Sequence, residues 1–459
     1  MRMEHQGELE YLTGFYEKNQ PGLLVVYGQK GIGKTTMLKE FIKDKDSVYY
    51  LAREASEREQ LFQMARELSR NGYEFSSEFP DYQEVLGKVG KKSRDREKLV
   101  LVFDEFQYLL KGQSAFMEAL VGFLQGEANA LVILASSCIG FIENSMVKKI
   151  GRAAYSISGF LKIKELTFRE ISHYYKAYTL EQLIETYSIL GGITGYLPCF
   201  DKTRSTRENI CEFILKEGSF LQLEGSRLLE EELREPAVYH SILAALASGK
   251  KKLNDLYKHT GFSRAKISVY LKNLMELEFV EKVFSYETKS REHVQKGLYQ
   301  ISYPYMDFWF RFIFPNLSSL TLMRPEEFYE AYIAPGFKEY CGFYFSKICR
   351  EYMDYLNEER KLPFHYEKSG IWAGKDGSID MLASNGQGKV LAVFTKYDKG
   401  GMTYEDYQRY LYNLEQAGVA PDECYLFSMG SFDERLRLEA KVKLHLYLKN
   451  VKEEPLGFS

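Results

Sequence analysis

Three stretches of the chain are apolar at nearly every position: "GLLVVY" (22–27), "LVLVFDEF" (99–106) and "ALVILASS" (130–137). A strand with no polar alternation is buried on both faces, as in a parallel sheet. Between and after these runs the apolar residues recur at helical spacing, as in "TTMLKEFIKD", and a further strand is predicted just after "KIGRAAYSISGF". Strands alternating with helices predict an α/β unit.

From Leu161 to Leu229 the pattern is helical, broken at "GGITGYLP" and "DKTRST". Gly191, Gly192 and Pro198 mark a turn between helices, and the simplest expectation is a small helical lid. The next pattern is different. "AVYHSILAALASGKK", "LNDLYKHTG" and "SRAKISVYLKNLMELEFV" predict three helices, the third capped by Ser263 after the turn residue Gly261. Ile267, Leu271 and Leu274 share its inward face. "VEKVFSYETKSREHVQKGLYQIS" then alternates like a hairpin with a polar tip. Three helices and a hairpin make a winged helix-turn-helix. "YPYMDFWFRFIFPN" is too dense in aromatics for a solvated linker and is expected to pack between domains. The last part predicts an amphipathic helix ("GFKEYCGFYFSKICREYMDYL"), three strands, a helix, a strand, a charged helix and a final strand. That α-β-β-β-α-β order is the order of the restriction-endonuclease-like fold. The expected organisation is an α/β core with a parallel sheet at 1–165, a helical lid at 166–230, a winged helix at 231–312, a connector at 313–335 and a restriction-endonuclease-like α/β domain at 336–459.

The first strand carries the chemistry. Gly28, Gly33, Lys34 and Thr35 fit G-x-x-x-x-G-K-[ST] between a strand and a helix. The first turn of a helix has unpaired N–H groups and a partial positive charge. Glycines let Gly28, Gln29, Lys30, Gly31, Ile32 and Gly33 wrap a phosphate, with Thr36 in the first helical turn. Lys34 is expected to reach the β- and γ-phosphates and Thr35 to ligate Mg²⁺. A glycine turn that binds nothing is the alternative, and the complete motif in the right order argues against it. The second run ends in Asp104 and Glu105. Asp104 is expected to hold Mg²⁺ through its water shell and Glu105 to polarise the attacking water. The third run ends in Ser136 and Ser137, either of which could face the γ-phosphate, or simply cap a turn. With no N-K-x-D motif in the chain, ATP is favoured over GTP.

Composition narrows the setting. Over 459 residues the net charge is −3 with ordinary apolar content, which describes a folded protein and excludes a disordered or collagen-like one. "MRMEHQGELEYL" lacks an apolar signal core, and no run nears the ~20 residues of a membrane span, so no membrane partner is expected. Six scattered cysteines and seven scattered histidines form no zinc pattern; reduced thiols and a cytoplasmic setting are expected. Charge is uneven along the chain. Residues 236–302 hold eleven Lys/Arg against six Asp/Glu. Arg264, Lys266 and Lys272 fall on the recognition helix, and Lys289, Arg291 and Lys296 on the wing, the footprint of a double-stranded DNA binder. A winged helix that packs on the ATPase or binds a protein partner is the alternative.

The motifs "GQKGIGKTT", "LVFDEF", "LASS", "GRAA", "GGITGYL", "YQISYPYMDFWFRF" and the surroundings of "SIDMLA" resemble the prokaryotic archaeal-type P-loop ATPases, a branch near AAA+ and STAND proteins. The resemblance covers nearly the whole chain, although "HQGELEYL" matches the family's opening helix only in part. It implies a third strand lying between the two Walker strands, with Ser136 or Ser137 as a sensor. It also implies that Arg152 could reach the nucleotide of a neighbouring subunit, and so an oligomer. Active members of the nuclease-like fold carry an acid on the second strand and Glu-x-Lys on the third. Here Asp380 and Lys396 fit, but Phe394 stands where the glutamate belongs. A phenyl ring cannot ligate Mg²⁺. Glu339 and Asp398 are the replacement carboxylates on offer. The C-terminal domain is therefore expected to be a degenerate nuclease scaffold, with Phe394 and Lys396 on one face of their strand and Asp380 on the strand before it. The expected function is an ATP-hydrolysing AAA+-like switch coupled to a DNA-binding winged helix. The alternatives are an ATP-dependent nuclease and an ATP-regulated protein-interaction module.

Overall fold

In the computed structural model all residues are described except 1–4, 19, 94–97, 111–114, 127–128, 287–296, 376, 439–441 and 447–459. The chain divides into two compact units: 1–165 with 193–195, and 166–192 with 196–459.

The first unit is built on five parallel strands, β1 (Gly22–Tyr27), β2 (Ser47–Leu51), β3 (Leu99–Asp104), β4 (Ala130–Ser136) and β5 (Gly159–Lys162), in the order β2-β3-β4-β1-β5. The apolar runs become its centre. Every residue of β3 and β4 is buried, as a strand covered on both faces requires. Strand β4 lies between β1 and β3, pairing Tyr27 with Ser136 and Phe103 with Leu134. The C-terminal ends of the three strands thus come side by side, where open α/β sheets bind ligands.

The second unit begins with helices, among them Phe168–Tyr174 and Leu180–Leu190, each opened by a threonine capping box. The winged helix follows: helices Pro236–Ala247, Leu253–Thr260 and Arg264–Glu276, then β6 (Val280–Val283) antiparallel to β7 (Leu298–Ile301). Ser263 caps the third helix by accepting from the Lys266 amide at 3.2 Å, while Ile267, Leu271 and Leu274 are fully buried. The aromatic stretch is interior, with Tyr305, Phe308 and Phe310 at most 1% exposed. Asp307 within it accepts from Arg311 at 3.0 Å and from the Tyr344 hydroxyl at 3.2 Å.

The long helix Ala334–Glu358 leads into the C-terminal sheet, β8 (Lys368–Ala373), β9 (Ser378–Ser384), β10 (Val390–Lys396), β11 (Glu423–Ser428) and β12 (Val442–Leu446), ordered β12-β11-β10-β9-β8. Strands β8, β9 and β10 are antiparallel, and β10, β11 and β12 parallel. The helix Tyr404–Ala417 connects β10 to β11. The charged helix expected before the last strand is, among the described residues, one 3-10 turn at Glu434–Leu438. Edge strand β8 is covered by the wing's own chain. The Tyr286 amide donates to the Ile371 carbonyl at 2.7 Å and the Ala373 amide to the Ser285 hydroxyl at 3.1 Å.

Candidate nucleotide site

Strand β1 ends in the loop 28–33, and the helix Lys34–Ile42 starts on Gly33. Gly33 adopts φ 94°, and a Cβ there would lie 2.6 Å from the Thr194 hydroxyl and 3.0 Å from His5 Nε2. Only glycine satisfies both constraints. His5 Nε2 donates to the Ile32 carbonyl at 3.1 Å, and the Gly195 amide to the Gly31 carbonyl at 2.9 Å. The loop is therefore clasped by residue 5 on one side and residues 193–195 on the other. Lys34 is buried, and its ammonium donates to the Gly28 and Gln29 carbonyls, both at 2.8 Å. Ile32 is buried, whereas Lys30, Thr35 and Thr36 are exposed.

At the end of β3 the carboxylate of Asp104 gathers three donors. Oδ2 accepts from the Thr35 hydroxyl at 2.8 Å and from the Tyr49 hydroxyl at 2.5 Å, and Oδ1 from the Glu105 amide at 3.0 Å. Burial first, and then Asp104, push the Tyr49 hydroxyl well above its ordinary range, so it stays a donor. The Thr35 hydroxyl and the Asp104 carboxylate form an all-oxygen pair that fits Mg²⁺, which prefers few protein ligands and keeps its waters.

Glu105 sits at φ 54°, a left-handed conformation rare for a side-chain-bearing residue. Its carboxylate is pinned. Oε2 accepts from the Ser137 amide at 3.1 Å, the Ser137 hydroxyl at 2.7 Å and Gln107 Nε2 at 2.7 Å. The Ser136 hydroxyl, fully buried, donates to Gln107 Oε1 at 2.7 Å. Ser137 thus reaches Glu105 directly and Ser136 reaches it through Gln107. Arg152 lies on the exposed 3-10 turn Gly151–Ser156 ahead of β5, apart from these contacts. Sequence reasoning missed Tyr49, Gln107, His5 and Thr194. Each reads as an ordinary core or turn position, and only proximity in the fold gives it a partner.

On the recognition helix Arg264, Lys266 and Lys272 are exposed. Arg264 donates to Asn254 at 2.6 Å and lies 4.4 Å from the Tyr257 ring centre, and Lys272 lies 3.7 Å from Glu276. Lys289, Arg291 and Lys296 lie outside the described residues.

The C-terminal constellation departs from expectation. Between Gly370 and Trp372 of β8, strand β9 advances from Leu382 to Ile379, one residue more, which is a β-bulge. The bulge breaks the period-two alternation of β9 at Asp380. Asp380 turns to the face of the long helix, accepting from the Ser346 hydroxyl at 2.8 Å and the Thr395 amide at 2.9 Å. Burial pushes its carboxyl above the ordinary range, against these donors. Phe394 and Lys396 point to the opposite face. Phe394 is fully buried and stacks on Tyr410 at 4.3 Å, and Lys396 donates to Asp406 at 2.9 Å. Glu339 is exposed on the long helix, and Asp398 is paired with Lys338 at 2.6 Å. The four residues do not converge. Among the described residues no group of three or more His, Cys, Asp or Glu could hold a metal ion.

A strand-loop-helix clasping a buried lysine, with a Thr–Asp pair and a pinned glutamate across the sheet, defines a P-loop ATPase with an appended winged helix. Comparison with known proteins makes this specific. Residues 4–200 match an ATPase domain predominantly from Archaea. Residues 241–282 match the bacterial regulatory protein, arsR family, and residues 309–409 match Archaea bacterial proteins of unknown function. The uncharacterized protein MJECL04 of Methanocaldococcus jannaschii is 30% identical over 401 residues, 85% of either chain. The uncharacterized ATP-binding protein MJ0423 of the same organism is 33% identical over 45 residues, 10% of this chain and 76% of that one. The Walker-type ATPase PABY2304 of Pyrococcus abyssi shares the fold at 17% identity, covering 67% of this chain and 95% of that one with a TM-score of 0.51. The chain belongs to the archaeal-type P-loop ATPases. No helix among its described residues is long and apolar enough to cross a membrane.

Proposed function

We propose that the protein binds and hydrolyses ATP and uses the nucleotide state to reposition a winged helix that engages double-stranded DNA. The observation that supports hydrolysis best is the Glu105 carboxylate, held by Ser137 and Gln107 one residue from the Thr35–Asp104 pair. A site that only stores nucleotide needs no oriented base beside its metal ligands. Lys34 exchanges its two carbonyl partners for phosphate oxygens. Thr35 and Asp104 would hold Mg²⁺, which when bound would supply charge neutralisation at the phosphates. Glu105 takes a proton from the attacking water, and Ser137 and Gln107 keep its oxygen on station. Arg152, exposed on its turn, is available to a neighbouring subunit.

DNA engagement rests on the exposed Arg264, Lys266 and Lys272 together with the helix-turn-helix match. One observation favours a second reading, a winged helix that serves as an internal or protein-binding module: the base of the wing is tied to β8 through Ser285 and Tyr286. ATPase activity of the full chain, measured with and without duplex DNA, separates the two. Stimulation by duplex supports the DNA switch; turnover indifferent to duplex supports the module. No turnover under either condition removes the hydrolytic reading.

A further inference from the structure

A cavity of about 340 Å³ opens in the second unit, beyond the C-terminal ends of β10 and β11. All of its lining residues belong to the second unit. Its position is where this sheet changes from antiparallel to parallel pairing, at β10. Crevices at the carboxyl ends of parallel strands are where α/β sheets bind ligands, and the volume suits a small molecule.

The walls combine aromatic side chains with one carboxylate outside the two ion pairs at this cavity, and the Arg207 guanidinium already lies 5.5 Å from the Tyr329 ring centre. Tyr329 and Phe337 meet near edge to face, their ring centres 6.4 Å apart at 67°, and Tyr397 lines the cavity from the strand side. Tyr329 begins a π-turn, Tyr329–Ile333, a local irregularity common at functional sites. Two of the three lining acids are already neutralised: Asp398 by Lys338 at 2.6 Å and Glu181 by Lys399 at 2.9 Å. Glu185, half-buried on the helix Leu180–Leu190, is the third. The rim is rigid. The Met402 amide donates to the Ser431 carbonyl at 2.9 Å and the Met429 amide to the Lys396 carbonyl at 3.2 Å. Gly401, at φ 86°, is needed because a Cβ would collide with the Ser431 carbonyl.

We propose that this cavity binds a small organic cation of the alkylammonium type, its charge set against Glu185 and its methylene or methyl groups against Tyr329, Phe337 and Tyr397. Aromatic faces attract cations through their quadrupole, most strongly where water is excluded. A phosphate or carboxylate ligand is disfavoured, because both lysines are committed to acids and Glu185 repels anions. A bare metal ion is disfavoured, because the acids do not cluster. Burial raises the Glu185 carboxyl above its ordinary range, with Glu181 adding to the effect and the Thr206 hydroxyl and Lys399 opposing it. Such a group gains from a cation that restores its charged form.

The test uses the full chain with choline and with 3,3-dimethylbutanol, which has the same shape without the charge, followed by calorimetry or NMR titration. Saturable choline binding is expected, with the neutral isostere at least about tenfold weaker. Glu185→Gln should lose at least about tenfold in choline affinity, and so should Tyr329→Leu, which keeps apolar volume but removes the π face. Lys34→Ala should bind choline as wild type does. No saturable choline binding, equal binding of choline and its isostere, or undiminished binding in Glu185→Gln overturns the proposal.

Discussion

Tyr49→Phe tests whether the Thr35–Asp104 pair is a metal site whose geometry depends on a neighbouring strand. The substitution removes one oxygen and keeps the ring, so packing should be conserved. What is lost is the hydroxyl that donates to Asp104 Oδ2 at 2.5 Å, beside the Thr35 hydroxyl at 2.8 Å on the same oxygen. Hydrogen bonds to charged groups contribute about 1.5–3 kcal/mol. The site is only partly buried, so the lower half of that range applies. Losing a partner that orients a metal-binding carboxylate typically weakens metal affinity by about 10–100-fold. An increase of roughly tenfold in the Mg²⁺ concentration that half-saturates ATP turnover is therefore expected. Turnover at saturating Mg²⁺ should stay near wild type, because Glu105 and its partners are untouched. The assay is steady-state phosphate release at fixed ATP and varied Mg²⁺, with a thermal melt as the folding control. An unchanged Mg²⁺ requirement in a normally folded Tyr49→Phe protein would refute the assignment of Tyr49 as the residue that orients Asp104.

Other outcomes follow from the same geometry. Lys34→Ala should abolish binding of a fluorescent ATP analogue, and Glu105→Gln should keep binding while turnover collapses; a Glu105→Gln protein that hydrolyses ATP at the wild-type rate would remove Glu105 from the base role. Charge reversal at Arg264, Lys266 and Lys272 should eliminate duplex binding with ATPase activity retained, and wild-type binding should show a log–log salt slope of roughly −4 to −5, the mark of about four to six neutralised phosphates. Phe394→Glu should destabilise the C-terminal domain by about 4 kcal/mol or more in urea unfolding, since Phe deletions alone cost about 3–5 kcal/mol. It should not create a Mg²⁺ site, because Asp380 faces the other side of the sheet. Neither it nor the wild type should nick plasmid DNA with Mg²⁺ or Mn²⁺, and nicking that disappears in Asp380→Ala would reinstate the nuclease reading.

Much of the fold was legible because contiguous patterns carried it. Uniformly apolar runs became β1, β3 and β4, and the serine cap at Ser263 and the hairpin after it appeared where the alternation changed. The pairing of Thr35 with Asp104 follows from a motif whose spacing encodes a loop and a strand end. Partners fixed only by tertiary contact were not legible. Tyr49 sits in "SVYYL" as one aromatic among several, and Gln107 lies in a 3-10 turn whose sequence says nothing of Ser136. At the C-terminal site the orientation of Asp380 was not legible, for a local reason. Period-two alternation assumes an unbroken ladder, and one extra residue in β9 sends Asp380 to the face opposite Lys396. A single-residue bulge leaves no mark on composition or spacing.

The covering of β8 by the wing has a consequence for self-association. An open strand edge presents unpaired amides and carbonyls that can recruit a strand from another molecule. At β8 the Ile371 carbonyl and the Ala373 amide are already engaged by Tyr286 and Ser285, and the Tyr286 hydroxyl is bonded to Ser384 on the next strand. Any movement that lifts the wing from this edge exposes a template for intermolecular pairing. The wing is therefore also a guard against edge-to-edge aggregation, and substitutions at Ser285 or Tyr286 should show first as loss of solubility.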